Sequence, residues 1–302
     1  MLPLPDIRPI ALVTARAARD LDEDLAPLLA ALKDARLPSV VVSWDDPVVN
    51  WSAFSLALLR STWDYSSRLD EFLGWLEGVR QATTVLNPLE LVRWNVDKHY
   101  LAALEGKGVS IVASRFVEPG DDAAGVLGQF LKQHPGGDVV IKPAVGAGSR
   151  DAQRHGRADH APMHAHITRL LEQRRSVLLQ PYLDRVDEQG ETALIYFEGR
   201  YSHAIRKGPL LRRGSAPTRA LFAPEIITPR IPGPDEQALA ERALAALPFE
   251  MPLYARVDLI RAAEGAPCVL ELELAEPSLF FAYAPGAAAR FAGAIGRRLA
   301  LD

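Results

Sequence analysis

Charged residues stand at alternate positions in two short runs near the C-terminus. Arg256 and Asp258 stand in one short run, Glu271 and Glu273 in another. Ala255, Val257 and Leu259 alternate with Tyr254, Arg256 and Asp258, and Leu270, Leu272 and Leu274 alternate with Glu271 and Glu273. Period-two alternation puts each set on one face of a strand. Glu264-Gly265 reads as a two-residue hairpin loop in which glycine supplies the positive φ. That turn sets Asp258 opposite Glu271 and Arg256 opposite Glu273. Like charges facing each other destabilise a sheet. Two arrangements relieve this. A hard divalent cation such as Mg2+ takes carboxylate oxygens; alternatively the face is solvated, with Arg256 neutralising Glu273. From this stretch alone the two stand level.

Two further groups could do chemistry. Lys142 precedes the glycine-bearing loop Gly146-Ala147-Gly148-Ser149, where backbone N–H groups approach a phosphate closely and the lysine adds a point charge. GxxxxGK[ST] and GxGxxG are both absent. Arg60-Ser61-Thr62-Trp63-Asp64 offers a guanidinium fork for a carboxylate, two hydroxyls and a flat wall; the competing reading is a helix N-cap region. His160, His164 and His166 lack the HExxH spacing and have no cysteine near them, and read as solvated. The basic run Arg206, Lys207, Arg212, Arg213 is either a solvated loop or an anion-binding flap.

These residues need elements to hold them. Strands at Pro9–Val13, Val40–Ser43, Leu56–Leu59 and Thr84–Leu86 alternate with helices over 20–36 and 68–80, which predicts a mostly parallel sheet covered on both faces. In such sheets ligands sit beyond the carboxyl ends of the strands, where the Arg60–Asp64 cluster stands. A helix over 89–105 follows Asn87-Pro88. Then come a strand over 111–117, a helix over 121–133, a strand over 138–141 ending at Lys142, a helix over 163–174 and a strand over 177–179 before Gln180-Pro181-Tyr182-Leu183. Strands over 192–197 and 201–205 flank a Glu198-Gly199 turn; a helix ends near 247, and a last helix covers 285–299.

A chain of 302 residues, 48% hydrophobic and 24% charged, is that of a globular protein with two or three lobes. A net charge of −4 gives no electrostatic reason to expect nucleic acid. The lone cysteine, Cys268, permits no internal disulfide and reads as a small core residue, which predicts a reducing, cytoplasmic setting. Asp6 and Arg8 among prolines argue against a signal peptide. No apolar run reaches the roughly 18 residues of a membrane span.

Taken in order, an α/β lobe, Lys98 on a linking helix, Lys142 with its glycine loop, the Gln180–Leu183 hinge and then Asp258, Glu271 and Glu273 resemble the ATP-grasp superfamily along essentially the whole chain. Within it, RSTWDY, LNPLELVRWNVDKHYL, HAIRKGP and ELELAEPSLF resemble the cyclo-ligase that closes O-ureido-serine in the cycloserine pathway, and its uncharacterised relatives. The resemblance implies an α/β (α+β) fold: a substrate-side lobe over 1–88, a small subdomain with the glycine loop over 89–180, and a carboxylate-bearing subdomain over 181–302. ATP would lie between two antiparallel sheets. Lys98 and Lys142 would meet its phosphates under Gly146, Gly148 and Ser149. Pro181, Tyr182 and Leu183 would read adenine with Gln180 near its amino group, and Glu188 or Glu191 would bind ribose. Asp258, Glu271 and Glu273 would hold Mg2+. Arg206, with Lys142 and Arg256, would serve catalysis by facing the transferred phosphate or a substrate carboxylate. Arg60, Ser61, Thr62, Trp63 and Asp64 would take a small amino-acid-like substrate. Most of the wider superfamily has Asn where Glu273 stands.

The activity implied is an ATP- and Mg2+-dependent ligase. Moving the γ-phosphoryl of ATP onto a carboxylate gives an acyl phosphate with a good leaving group, which an amine-type nucleophile displaces, in trans or within an O-ureido-serine-like substrate. The alternatives are a small-molecule kinase that stops at phosphoryl transfer and a nucleotide-binding protein without chemistry. A homodimer is a further expectation.

Overall fold

The computed structural model describes residues 8–214, 221 and 225–300; Asp6, read above for a leader, lies outside them. The first lobe is a parallel sheet in the order β2-β1-β3-β4, formed by β1 (Ile10–Thr14), β2 (Ser39–Ser43), β3 (Leu56–Ser61) and β4 (Thr84–Leu86). Alternate residues of these strands face opposite layers. Ile10, Leu12, Leu56 and Leu58 meet Leu25, Leu28 and Leu32 of α1 (Leu25–Asp34), while Ala11, Val13, Ala57 and Leu59 meet Phe72, Leu76 and Val79 of α2 (Leu69–Val79). The first layer is completed from the far end of the chain, by Phe291 and Ile295 of the last helix (Ala287–Leu299).

Two of the predicted boundaries shift for reasons that matter to the site. The helix expected from Asp20 starts only at Leu25, and the carboxylate of its N-cap residue Asp24 is taken by the N–H groups of Leu279, Phe280 and Phe281 at 2.6, 3.0 and 2.8 Å rather than by its own helix. Strand β3 runs on through Arg60 and Ser61, so these residues are strand and not loop.

The helix expected over 89–105 is broken into α3 (Leu89–Asn95) and α4 (Tyr100–Gly106). At the break Asp97 bridges Val145, and the Lys98 N–H donates to Ala144 O at 3.0 Å. Strand pairing across the site overrides helical propensity there. Next, β5 (Arg115–Val117), α5 (Ala123–Gln133), β6 (Val139–Pro143), β7 (Gln153–His155), α6 (His160–Glu172) and β8 (Val177–Pro181) build an antiparallel sheet β5-β8-β6-β7. It has its own core, where Val117, Ile141, Val177 and Leu179 pack on Leu127, Phe130, Met163 and Ile167.

A short helix α7 (Arg185–Gln189) leads into the second antiparallel sheet, β11-β10-β9-β12-β13. Its strands are β9 (Glu191–Phe197), β10 (Arg200–Lys207), β11 (Ile227–Arg230), β12 (Tyr254–Arg261) and β13 (Pro267–Glu273), with α8 (Pro234–Ala245) before β12 and α9 (Ala287–Leu299) closing the chain. One face of this sheet packs on α3, α4 and α8 through Leu91, Tyr100, Leu239, Val257 and Leu272. By packing, residues 89–106 lie between the first lobe, through Leu89, Val92 and Val96, and the C-terminal sheet, through Leu91, Tyr100 and Leu104, rather than on the small sheet. No helix among the described residues is long and apolar enough to cross a membrane.

Candidate active site

The pairing of β12 with β13 sets Asp258 opposite Glu271 and Arg256 opposite Glu273. This is the expected register, reached by a different route. Arg261 pairs with Pro267, and the loop within Ala262–Ala266 is one residue longer than the Glu264-Gly265 turn assumed. A β-bulge between Asp258 and Leu259 on one side, at Leu270 on the other, restores the register before the acidic residues. Because of the bulge, Leu270 and Glu271 both line the same cavity.

That cavity holds about 360 Å³ and runs between the two antiparallel sheets toward the first lobe. Its acidic floor is paired with cations throughout. Lys142 Nζ lies 2.7 Å from Glu271 Oε1, and Lys98 Nζ lies 3.8 Å from the same oxygen while donating to Gly146 O at 3.0 Å. Arg256 forks onto Asp258 at 2.9 and 3.0 Å and also bonds Glu273. Lys207 Nζ reaches Asp258 Oδ2 at 2.5 Å and Glu191 at 3.4 Å. Burial pushes the Glu271 carboxyl up, but Lys142 and Lys98 outweigh it and hold the group well below the usual carboxylate range. Asp258 is likewise held down by Arg256 and Lys207 against its burial.

The remaining carboxylates titrate the other way. Burial pushes Glu191 up to about 7. Burial and the neighbouring Glu273 push Glu276 up to about 8, and Glu273 is itself raised by burial. Carboxylates outnumber cations along the cavity: Glu191, Asp258, Glu271, Glu273 and Glu276 stand there with Asp22, Glu23, Asp24 and Glu225, against Lys98, Lys142, Arg150, Lys207 and Arg256. An added hard cation would relieve the excess, and all-oxygen donors suit Mg2+. Among the described residues no three such side chains converge as a metal cage, since Arg256 and the lysines already hold Asp258, Glu271 and Glu273.

The glycine loop crosses the cavity between β6 and β7. Gly148 and Ser149 both have left-handed φ, +59° and +58°, so Gly148 takes without strain what Ser149 takes at a cost. Asp151 ties the loop to Arg175 at 2.7 Å and to Arg169 at 3.3 Å. At the hinge, the Tyr182 N–H donates to Asp138 O at 2.9 Å and Pro181 has none, which leaves Leu183 as the hinge residue able to offer an amide. Gln180 is buried and donates to Ser114 Oγ at 3.0 Å. Val140, Tyr182, Ile260 and Leu270 make this end of the cavity apolar. Cys268 packs there with Val140 and Ile260, as a small core residue. Of the two ribose candidates, Glu191 lines the cavity and Glu188 is exposed outside it.

Arg206 is a correction. It points away from the cavity and donates to the carbonyls of Gln189 and Glu188 at 2.7 and 2.9 Å. Its neighbour Lys207 is the residue on the cavity side, as strand alternation requires. The basic run is no free flap either, since Arg213 folds onto Asp138. The Arg60–Asp64 cluster also divides. Arg60 is fully buried, 3.7 Å from Asp24 and bonded to Pro277 O at 3.2 Å, so it props the cavity wall without facing it. Ser61 bonds Thr14 at 2.8 Å, Thr62 is fully buried, and Asp64 accepts from Trp44 and Arg68 within its own lobe. Trp63 alone of the five lines the cavity, with its Nε1 donating to Glu276 O at 3.1 Å.

Sequence reasoning missed Lys207, Glu276, Asp22 and Asp24 as wall residues. Period two on β10 would have found Lys207, and Glu276 stands inside ELELAEPSLF. The two aspartates carried no signal; the role of Asp24 depends on a turn more than 250 residues away, where its Oδ1 takes the Phe281 amide across 257 positions.

Comparison with known proteins gives concordant results. A family model for the N-terminal domain of the D-cycloserine synthetase DcsG matches residues 10–87. The cycloserine biosynthesis protein DcsG of Streptomyces lavendulae is 40% identical over 298 residues, covering 96% of this chain and 98% of its own. A crystal structure of D-cycloserine synthetase DcsG superposes with a TM-score of 0.91 at 40% identity, over 96% of this chain and 99% of that one. The ATP-grasp ligase PsnB, solved with a phosphomimetic variant of its minimal precursor, Mg and ADP, shares the fold at a TM-score of 0.66 and 16% identity, over 97% of this chain and 100% of that one.

Proposed function

We propose a reaction for this chain from one premise: it belongs to the family of the D-cycloserine synthetase DcsG and is an ATP-grasp carboxylate–amine ligase of the ADP-forming type. Our reading is that it activates the carboxylate of a small amino acid as an acyl phosphate. A nitrogen nucleophile then displaces the phosphate, within the same molecule when the substrate resembles O-ureido-serine.

One observation carries this reading. A single cavity joins the apolar hinge, the cation-paired carboxylates and the Asp22, Trp63 and Tyr65 wall of the first lobe. A protein that only bound nucleotide would not need the last part. The adenine would rest between Val140, Tyr182, Ile260 and Leu270, with the Leu183 N–H at its edge and Glu191 toward the ribose. Lys98 and Lys142 would take phosphate oxygens under the Gly146–Ser149 loop. Lys207 and Arg256 would neutralise the charge that develops as the phosphoryl group passes to the substrate carboxylate, so that electrostatic preorganisation does most of the work. Asp258, Glu271 and Glu273 would hold Mg2+, which would supply positive charge to the phosphoryl group during transfer. As nitrogen attacks the acyl carbon, the carbon–oxygen bond to phosphate breaks, and the proton lost by the nitrogen leaves with the departing phosphate.

Hydroxylamine trapping tests this. With O-ureido-serine, ATP and Mg2+, the expected products are a hydroxamate and ADP. A phosphorylated substrate without hydroxamate would point to a kinase. Absence of any ATP-dependent thermal protection would remove the nucleotide site altogether.

A further inference from the structure

At the end of the cavity away from the hinge, one carboxylate oxygen is buried without a hydrogen-bond partner. Asp22, Glu23 and Asp24 line that end, beside Trp63, Tyr65 and Phe280. Asp24 is committed, both its oxygens taking the amides of Leu279, Phe280 and Phe281. Asp22 is different. One oxygen accepts the Asp24 N–H at 2.9 Å; the other, Oδ2, is buried with no hydrogen-bond partner, on a residue only 8% exposed. A buried carboxylate oxygen left unbonded is costly. The charge is also out of balance. Two buried carboxylates, Asp22 and Asp24, share the one guanidinium of Arg60, which lies 3.7 Å from Asp24. The complement of this corner is one positive charge with N–H groups.

Building on the ligase reading above, we propose that Asp22 receives the α-ammonium of the amino-acid substrate. The substrate's carboxylate then extends along the cavity toward Lys142, Lys207 and Arg256, with Trp63 and Phe280 flanking its side chain. Asp22 thereby selects free α-amino acids over N-acylated ones and fixes which carboxylate meets the phosphoryl group.

The test compares O-ureido-serine with its N-acetyl derivative on the wild-type protein and on Asp22→Asn. The variant keeps an oxygen for the Asp24 amide, and an unchanged melting temperature without ligand will show that it folds. Wild type should release ADP with the free amine and discriminate against the N-acetyl compound. In Asp22→Asn the KM for the amino acid should rise roughly tenfold or more, the worth of one charged hydrogen bond, with the KM for ATP unchanged. Equal use of both compounds by wild type, or an unaltered amino-acid KM in the variant, overturns the proposal. Thermal protection by O-ureido-serine separates this from the ligase reading. Protection of wild type that Asp22→Asn loses supports the subsite even if no ADP is released. Equal protection of both proteins, protection of neither, or the same protection by KCl alone, overturns it.

Discussion

Arg206 and Lys207 are adjacent on β10 and face opposite ways, the first onto the carbonyls of Glu188 and Gln189, the second onto Asp258. Removing a preorganised charge at a phosphoryl-transfer site costs on the order of 10²–10³ in kcat. Lys207→Met should show a loss of that size in ADP release, and Arg206→Met a much smaller one; equal losses would put Arg206 back at the site. Glu271→Gln should abolish Mg2+-dependent turnover in a chain that still folds, with a melting temperature lowered by the loss of its ion pairs to Lys142 and Lys98. Turnover that survives would dismiss its metal role. Glu276 supports a prediction about pH. Its carboxyl is raised from an ordinary 4.5 to about 8, so between these values the folded chain keeps a proton that the unfolded chain has released. Stability from this group is therefore present at low pH and lost as pH rises through that window. One pKa unit corresponds to about 1.4 kcal/mol, and Glu276→Gln should stabilise the ligand-free protein by at least about that much at pH 8.5 and by little at pH 4.5, as read by urea denaturation. A pH-independent difference would contradict the shift. At this scale the sequence showed which side chains carry charge, but not which way Arg206 and Arg60 turn, because a lone arginine reads alike inside a wall and facing a cavity.

The acidic hairpin was legible as an element because its composition alternates with period two whatever its loop does. Its bulge was not, because inserting one residue at Leu270 changes neither the residue types nor the apolar count. The longer loop and the bulge each shift the register by one and cancel, which is why the pairing of Asp258 with Glu271 came out as expected. Gly265, at φ +94° inside the loop, is the one signal common to both turns. The division of α3 from α4 was equally hidden, since the sequence there favours a helix and the contest is won by the pairing of Asp97 with Val145. Behind the acidic face, Leu272 is fully packed against α4 and α8, its N–H donating to Tyr100 Oη at 2.9 Å and its carbonyl accepting from Asn95 at 2.7 Å. Leu272→Ala should therefore destabilise by roughly 2–5 kcal/mol, measured by urea denaturation. A loss under about 1 kcal/mol would mean that the hairpin is not held from behind.

Across the whole molecule, the small sheet has a core of its own, whereas one layer of the first lobe is shared with the C-terminal sheet and the last helix. Ile10, Leu12, Leu28 and Leu58 share one core with Ile195 and Phe197 of β9 and Phe291 and Ile295 of α9. The crossing is stitched by polar groups as well. Asn87 donates to the carbonyls of Tyr254 and Leu274 at 3.0 and 2.7 Å and accepts the Leu253 N–H at 2.9 Å. Tyr254 Oη meets the carbonyl of Ala275 at 2.8 Å and those of Leu59 and Leu86 at 3.2 Å, beneath β3 and β4. None of this was visible in the sequence, where Asn87-Pro88 reads as punctuation between domains. Asn87→Ala strips three buried backbone groups of their partner at once, at about 1–3 kcal/mol for each group left unsatisfied, so it should lower stability by several kcal/mol while changing no residue of the cavity. Because the core is shared, the loss should appear as one cooperative transition, with the first lobe and the C-terminal sheet melting together. A fragment ending at residue 88 would lack α9, β9 and the carbonyls that hold Asn87. It should give the narrow amide dispersion of an unfolded chain in an NMR spectrum. A well-dispersed spectrum from that fragment, or two separate transitions in the Asn87→Ala protein, would restore an independent N-terminal domain and require the Asp22 and Trp63 wall to be a surface that docks rather than one built together with the rest of the cavity.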